Sequence, residues 1–343
     1  HSEVFFAPNT RKQPHSCPHH SHSTSLPRPA PRRLLHRRPP YAHPSLPLRR
    51  PLRSGHPPPI KPQKQFTRQL EQHVLGTLTR TPRDQARFNS LLNKHAALWL
   101  RCTPSEHLLT LTPTQFTAAL RFRLGLHPSA APSLCPCGTT VHDAVHFDHL
   151  HTCPSVRRPA LNARHSHVLR ALSIVAREAG AHTELEYRSY AAGQLRPRQR
   201  PDIRVSGVAD LDFLSDVMIT TPTASSHVAT AATTSLAAAA KGERSKESKY
   251  ASFAATEHTP FHAFVLESFG AFGPAAVKVL HSIVSHHSHS QHANSFPLLS
   301  FNFSRWAHSV IAIALQRGNS ALVHTALRAG RSAYLQRHPF ASG

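Results

Sequence analysis

The chain has 343 residues, with 40 Lys+Arg against 17 Asp+Glu, a formal net charge of +23, 30 prolines and 30 histidines. That length allows one or two domains beside non-globular segments, and the basic surplus favours a polyanionic partner, DNA or RNA. Five irregularly spaced cysteines argue against a disulfide framework, and no apolar run reaches the length of a membrane span, so a reducing compartment and no membrane partner are expected.

The sequence opens at His1 with "HSEVFFAPNT", which has no initiator Met and no signal-peptide pattern and reads as a piece of a longer chain. Residues 1–64 hold fifteen of the prolines and twelve Lys/Arg against a single acid, Glu3. Proline removes backbone donors and apolar residues are sparse, so this leader is expected to be disordered. Its arginine pairs suit phosphate contacts or a nuclear address, which places the protein in the nucleus, or in the cytoplasm before import.

Residues 65–128 turn helical. "QFTRQLEQHVLGTL" and "PRDQARFNSLLNKHAALWL" each space apolar residues for one helix face, and "TPTQFTAALRFRLGL" adds Thr112 as cap, Pro113 in the first turn and Gly125 at the end. A Cys/His-rich segment occupies 129–160. From 161 to 284 the pattern predicts a helix over 164–180, a strand in "TELEYRSY", and paired strands around Gly207 in "RPDIRVSGVADLDFLSDVMIT". A helix in "SLAAAAKGERSKESKYASFA", a strand in "FHAFVLES" and a helix in "AAVKVLHSIVS" follow. This order predicts an α/β core with a mixed sheet. Residues 285–295 read as a polar His/Ser linker, and 296–343 as helices broken at Gly318–Asn319.

In "CPCGTTVHDAVHFDHLHTC" (135–153), Cys135, Cys137 and Cys153 offer three of the four ligands that structural zinc needs. The fourth is His149 or His146. The single-residue gap between the first two cysteines is tighter than the usual two to four. The plainer alternative is a set of reduced thiols beside exposed histidines.

Four of the chain's seven aspartates, Asp202, Asp210, Asp212 and Asp216, fall within fifteen residues. Asp202 is expected to open one strand and Asp216 the next, and neighbouring strand ends can bring two carboxylates to one Mg²⁺ or Mn²⁺. Such a cation supports phosphodiester hydrolysis, with a lysine nearby to offset charge. Lys246 and Lys249 lie one turn apart on the following helix, and Glu186 on the preceding strand offers a further carboxylate. Asp210 and Asp212 read equally well as turn residues.

Taken in order, "CPCG…H…C", "RH" opening a helix, "RPD", an Asp after thirteen intervening residues and "KESKY" resemble one family. It is the C-terminal region of non-long-terminal-repeat retrotransposon polyproteins that carry a restriction-enzyme-like endonuclease. "AALWLRCTP", "FTAALRFRLGL", "FVLESFGAFG" and "ALQRGNSAL" extend the resemblance over roughly residues 85–328. The resemblance implies a zinc knuckle of Cys135, Cys137, His149 and Cys153 joined to a PD-(D/E)xK-type, restriction-endonuclease-like mixed-sheet core flanked by helices. It implies Asp202 and Asp216 as metal-binding acids, and Arg164 and His165 as the "RH" pair. It also implies a catalytic lysine moved from strand to helix, at Lys246 or Lys249, since the classical position two after Asp216 holds Met218. The family's polymerase signature, Tyr-x-Asp-Asp, is absent, so the chain resembles a truncated element.

The expected function is a Mg²⁺- or Mn²⁺-dependent DNA endonuclease with a structural zinc. The alternative is a catalytically silent zinc-knuckle remnant that binds nucleic acid through phosphates. Neither a "GxSxG" elbow nor a "GxxxxGK[ST]" phosphate loop occurs.

Overall fold

The computed structural model describes residues 81–126, 133–141, 144–156, 159–188, 200–207, 211–289 and 300–337, together with 69, 76 and 77. The proline-rich leader, most of the helix expected over 65–78, Asp210 and residues 290–299 lie outside the described residues. Residues Ile60–Gly343 belong to one compact unit.

Helix starts follow local chemistry. Thr81 accepts the Asp84 amide at 3.1 Å, with Pro82 next, and opens α1 (Pro82–Leu91). The apolar spacing predicts a helix through Leu100, but the chain turns first. Asn93 takes the His95 amide on its side chain and the Ala96 amide on its carbonyl, each at 3.0 Å. That local bonding competes with the helix, which resumes only as α2 (Leu98–Arg101). A 3₁₀ turn (His107–Leu109) leads to α3 (Pro113–Leu124). There Thr112 and Gln115 form a reciprocal capping box, and Gly125 ends the helix at φ 70°, as its sequence predicts.

A two-stranded hairpin follows, β1 (Ser133–Leu134) with β2 (Thr140–Val141), then α4 (Ala144–Thr152) and the long α5 (Pro159–Glu178). Next come β3 (His182–Leu185), β4 (Ile203–Ser206), β5 (Asp212–Thr220), α6 (Val228–Thr233), α7 (Ala237–Thr256), β6 (Phe261–Glu267), α8 (Pro274–His289) and α9 (Ser300–Arg337). The sheet order is β3-β4-β5-β6. The first two pairings are antiparallel and β5–β6 is parallel, which gives the mixed α/β core expected.

Strand alternation sorts the two faces. Ile203, Val205, Phe213, Val217, Phe264 and Leu266 pack with α5, α8 and α9. Leu214, Ala263 and Val265 pack instead with α7, through Tyr250, Phe253 and Ala239. Two buried acids from neighbouring elements serve the helix starts. Glu267 at the end of β6 accepts the Ala239 amide of α7 at 3.3 Å, and Glu243 of α7 accepts the Ala275 amide of α8 at 2.8 Å. Carboxylates there satisfy otherwise open N–H groups and complement the helix dipole.

Two expectations are corrected. The predicted His/Ser linker begins later, because α8 continues to His289. The predicted break at Gly318–Asn319 is absent: α9 is one helix of 38 residues, about 57 Å long. Gly318 faces α5 so closely that a Cβ would lie 2.8 Å from the Arg164 Cα. Asn319 donates to the Ser268 carbonyl at 2.8 Å. The pair is an inward contact, not a stop signal. Among the described residues no helix is long and apolar enough to cross a membrane.

Candidate functional site

The β4–β5 register pairs Ile203 with Ser215. One step further, the same register sets Asp202 opposite Asp216. Asp216 therefore does not open a strand, as its sequence suggested; it sits in the middle of β5. β4 ends beside it, while β5 continues against β6 alone. The two carboxylates meet where the antiparallel pairing gives out.

Each carboxylate is held. Asp202 Oδ2 accepts the Val217 amide at 2.7 Å and lies 2.8 Å from His165 Nε2 of α5. Both contacts fall on one oxygen, so among the described residues no protein donor occupies Oδ1. Burial opposes the His165 imidazolium, but the Asp202 hydrogen bond and the charges of Asp202 and Asp216 outweigh it and raise its pKa. Asp216 is buried. Its Oδ2 pairs with the Lys246 ammonium, and its Oδ1 accepts from the Tyr250 hydroxyl. Burial, then the Asp216 hydrogen bond, pushes the Tyr250 phenol well above its usual range, so it stays a donor.

Packing explains why Lys246 reaches this point. A Cβ on Gly242 would meet Met218 Sδ and Val265 Cγ1, each at 3.2 Å, so α7 lies close against β5 and β6. Lys246 and Tyr250 follow at successive four-residue steps on that same face. Met218, in the strand position the resemblance would reserve for a lysine, instead fills the contact with Gly242. Lys249 lies 2.8 Å from the Tyr250 hydroxyl and 4.4 Å from its ring centroid. Of the two candidate lysines, Lys246 touches the acid and Lys249 reaches it through Tyr250.

The Glu186 amide donates to the Asp202 carbonyl at 2.7 Å, but its carboxylate turns to Arg200. Glu186 follows β3 with φ 55° and bridges to Arg200 at 2.7 Å on the exposed rim. Asp212 is the first residue of β5, not the turn residue its plainer reading expected, and pairs in a two-pronged contact with Arg204, at 3.1 and 3.0 Å. His165 and Tyr250 are the residues that motif spacing undersold. Tyr250 is recoverable from its four-residue step after Lys246; His165 is picked out only by the resemblance, as part of the "RH" pair, because its partner Asp202 lies 37 residues on.

A second cluster forms at the hairpin. Cys135 to Gly138 make a tight turn with Pro136 at its second position: the Gly138 amide donates to the Cys135 carbonyl at 2.8 Å, and Gly138 takes φ 91°. The single-residue gap therefore brings both thiols to the hairpin head. α4 supplies His149, and Cys153 follows its end. The ligand atoms of Cys135, Cys137, His149 and Cys153 all lie within 4.8 Å of one another. Cys135 and Cys153 sulfurs are 3.4 Å apart, and Cys137 Sγ lies 3.2 Å from His149 Nε2. A tetrahedral zinc site with ~2.3 Å Zn–S bonds has sulfur–sulfur edges of about 3.8 Å, so small shifts accommodate the ion. Burial works against the Cys137 thiolate, yet Thr139 and His149 hydrogen bonds bring its pKa down to about 6. This Cys₃His set can hold a metal such as zinc. The His146 side chain lies outside the described residues.

The two clusters share a structural link. Arg164, the residue before His165, is buried and donates to His151 Nδ1 of α4 at 3.0 Å, with Asn319 Oδ1 of α9 at 3.5 Å. Burial lowers its pKa to about 10, and burial together with Arg164 keeps His151 neutral, so it accepts. No family model matches the chain, and no curated protein matches it.

Proposed function

We propose that the protein is a metal-dependent DNA endonuclease with a zinc-stabilised knuckle, of the kind carried by non-long-terminal-repeat retrotransposons. The supporting observation is the convergence at Asp216: its register partner Asp202 from β4, Lys246 from α7 and, through Asp202, His165 from α5. The element order α5-β3-β4-β5-α6-α7-β6 around a mixed sheet supports a restriction-endonuclease-like core. The Cys₃His set supports the knuckle.

Asp202 and Asp216 would hold Mg²⁺ or Mn²⁺. When bound, the cation polarises the scissile phosphate and lowers the pKa of a bound water. The Val217 amide and His165 fix one oxygen of Asp202 and present the other. Tyr250 fixes Asp216. Lys246 pairs with Asp216 and offers positive charge where negative charge grows on the phosphate. The net charge of +23 draws the DNA backbone to the surface without reading sequence.

The test is incubation with supercoiled plasmid and Mg²⁺ or Mn²⁺. Metal-dependent open circles are expected. A folded, zinc-loaded protein that shifts DNA on a gel yet leaves the plasmid supercoiled would replace this reading with the binding remnant.

A further inference from the structure

A second feature lies away from the aspartates, on the sheet face opposite α7. The α1–α2 turn, α8 and α9 enclose a cavity of about 460 Å³. That size is within the range of small-ligand sites, roughly 300–1,000 Å³. Its lining is polarised. Lys94 and Arg305 stand exposed at the rim, and no Asp or Glu is among the described residues lining it. Leu98, Val277 and Val284 form an apolar wall. Inside, the rings of His95 and His308 stack at 4.8 Å with 9° between their planes, and His95 also stacks on Phe272 at 5.0 Å.

We propose that this cavity binds a nucleotide unit, with its phosphate at the Lys94/Arg305 rim and its base against the apolar wall and the paired imidazoles. A phosphate alone would use the rim and leave the wall bare. A wholly apolar ligand would leave the two rim cations and the His95 Nε2 unmatched. His95 is 9% exposed, and its buried Nε2 has no hydrogen-bond partner among the described residues. It is one of several buried side-chain atoms without a partner among the described residues, and the one that lies at this cavity, where a ligand's polar group would satisfy it.

The protonation states fit a base better than a second anion. Burial, then the charges of His308 and Lys94, holds His95 down at about 4, and burial lowers His308 as well. Both rings are therefore neutral near pH 7. His308 Nδ1 donates to the Ser304 carbonyl at 2.7 Å, which leaves its Nε2 as an acceptor. An acceptor beside an apolar wall suits a base with an exocyclic amino group, adenine or cytosine. The ligand can come as a free nucleotide or as one unit of a single strand.

Calorimetric titration of the full chain, in phosphate-free buffer without added divalent cation, separates these sources. The probes are AMP, UMP, inorganic phosphate and a short oligodeoxyadenylate. Saturable AMP binding, stronger than UMP or phosphate, supports a free-nucleotide site; binding of the oligonucleotide alone supports a strand site. In either case Lys94→Glu with Arg305→Glu weakens binding about tenfold or more. His308→Phe keeps the stack and removes the preference for AMP over UMP. Asp202→Ala leaves binding unchanged, so the result stands apart from the nuclease reading. Circular dichroism confirms that each variant folds. No saturable binding of AMP or oligonucleotide, or binding indifferent to rim reversal in folded variants, overturns the proposal.

Discussion

Replacing Gly318 with alanine sets two effects against each other. In an exposed helix interior the change stabilises by about 1 kcal/mol, because alanine loses less backbone freedom. Here the new Cβ would lie 2.8 Å from the Arg164 Cα and 2.9 Å from its Cγ. Backbone cannot yield as a side-chain tip does, so α5 and α9 must separate. Overpacking of this kind costs about 1–3 kcal/mol. It also moves Arg164, whose buried guanidinium depends on His151 and Asn319. Subtracting the propensity gain leaves a net destabilisation of ~0–2 kcal/mol, with the upper end expected because Arg164 shifts. At ~2–4 °C per kcal/mol the melting temperature falls by up to about 8 °C. Urea denaturation followed by far-ultraviolet circular dichroism reads the change directly. A Gly318→Ala protein stabilised by about 1 kcal/mol would mean that the helices do not approach here, and the account of α9 as one packed helix would fail.

Three further outcomes are expected. Lys246→Ala lowers nicking about 100-fold or more, whereas Lys249→Ala costs about tenfold or less, because Lys246 pairs with Asp216 while Lys249 bonds to the Tyr250 hydroxyl; equal losses in a single-turnover assay would contradict this division. Cys153→Ser or Cys135→Ser reduces bound zinc, measured by elemental analysis, and lowers the melting temperature as chelation does to the parent; full zinc content in both variants would contradict the ligand set. Burial, only partly offset by Ser90 and the Ala239 amide, raises the Glu267 pKa above its usual value of 4.5. The folded state thus holds that proton more tightly. This contribution to stability is full below the unfolded value and is lost as pH rises through the folded one. Gln does not titrate, so the stability of Glu267→Gln relative to the parent should climb as pH rises above the usual Glu value of 4.5 in denaturant titrations; a constant difference would contradict it.

Local signals were legible in the sequence. Thr112, Pro113 and Gly125 bound α3, and the apolar runs around Gly207 mark β4 and β5. Tertiary uses of the same residue types were not. Gly318 reads as a helix breaker until Arg164 is placed against it. Asn93 lies within an unbroken apolar period, yet its side chain turns the chain. The Cys₃His set was readable because all four residues fall within nineteen. The acidic site was readable only in part, since strand register and the close seat of Gly242 decide which lysine reaches Asp216. The resemblance supplied the order of the motifs; the fold supplies the contacts of His165 with Asp202 and of Tyr250 with Asp216.

The central claim is that Asp202 and Asp216 form one hydrolytic centre. Its most direct test compares plasmid nicking in Mg²⁺ by the parent, Asp202→Ala and Asp216→Ala, with zinc content and circular dichroism checked for each. The account predicts nicking by the parent and loss of it in both folded variants. Nicking that persists in either folded variant would show that the two carboxylates do not act as one site.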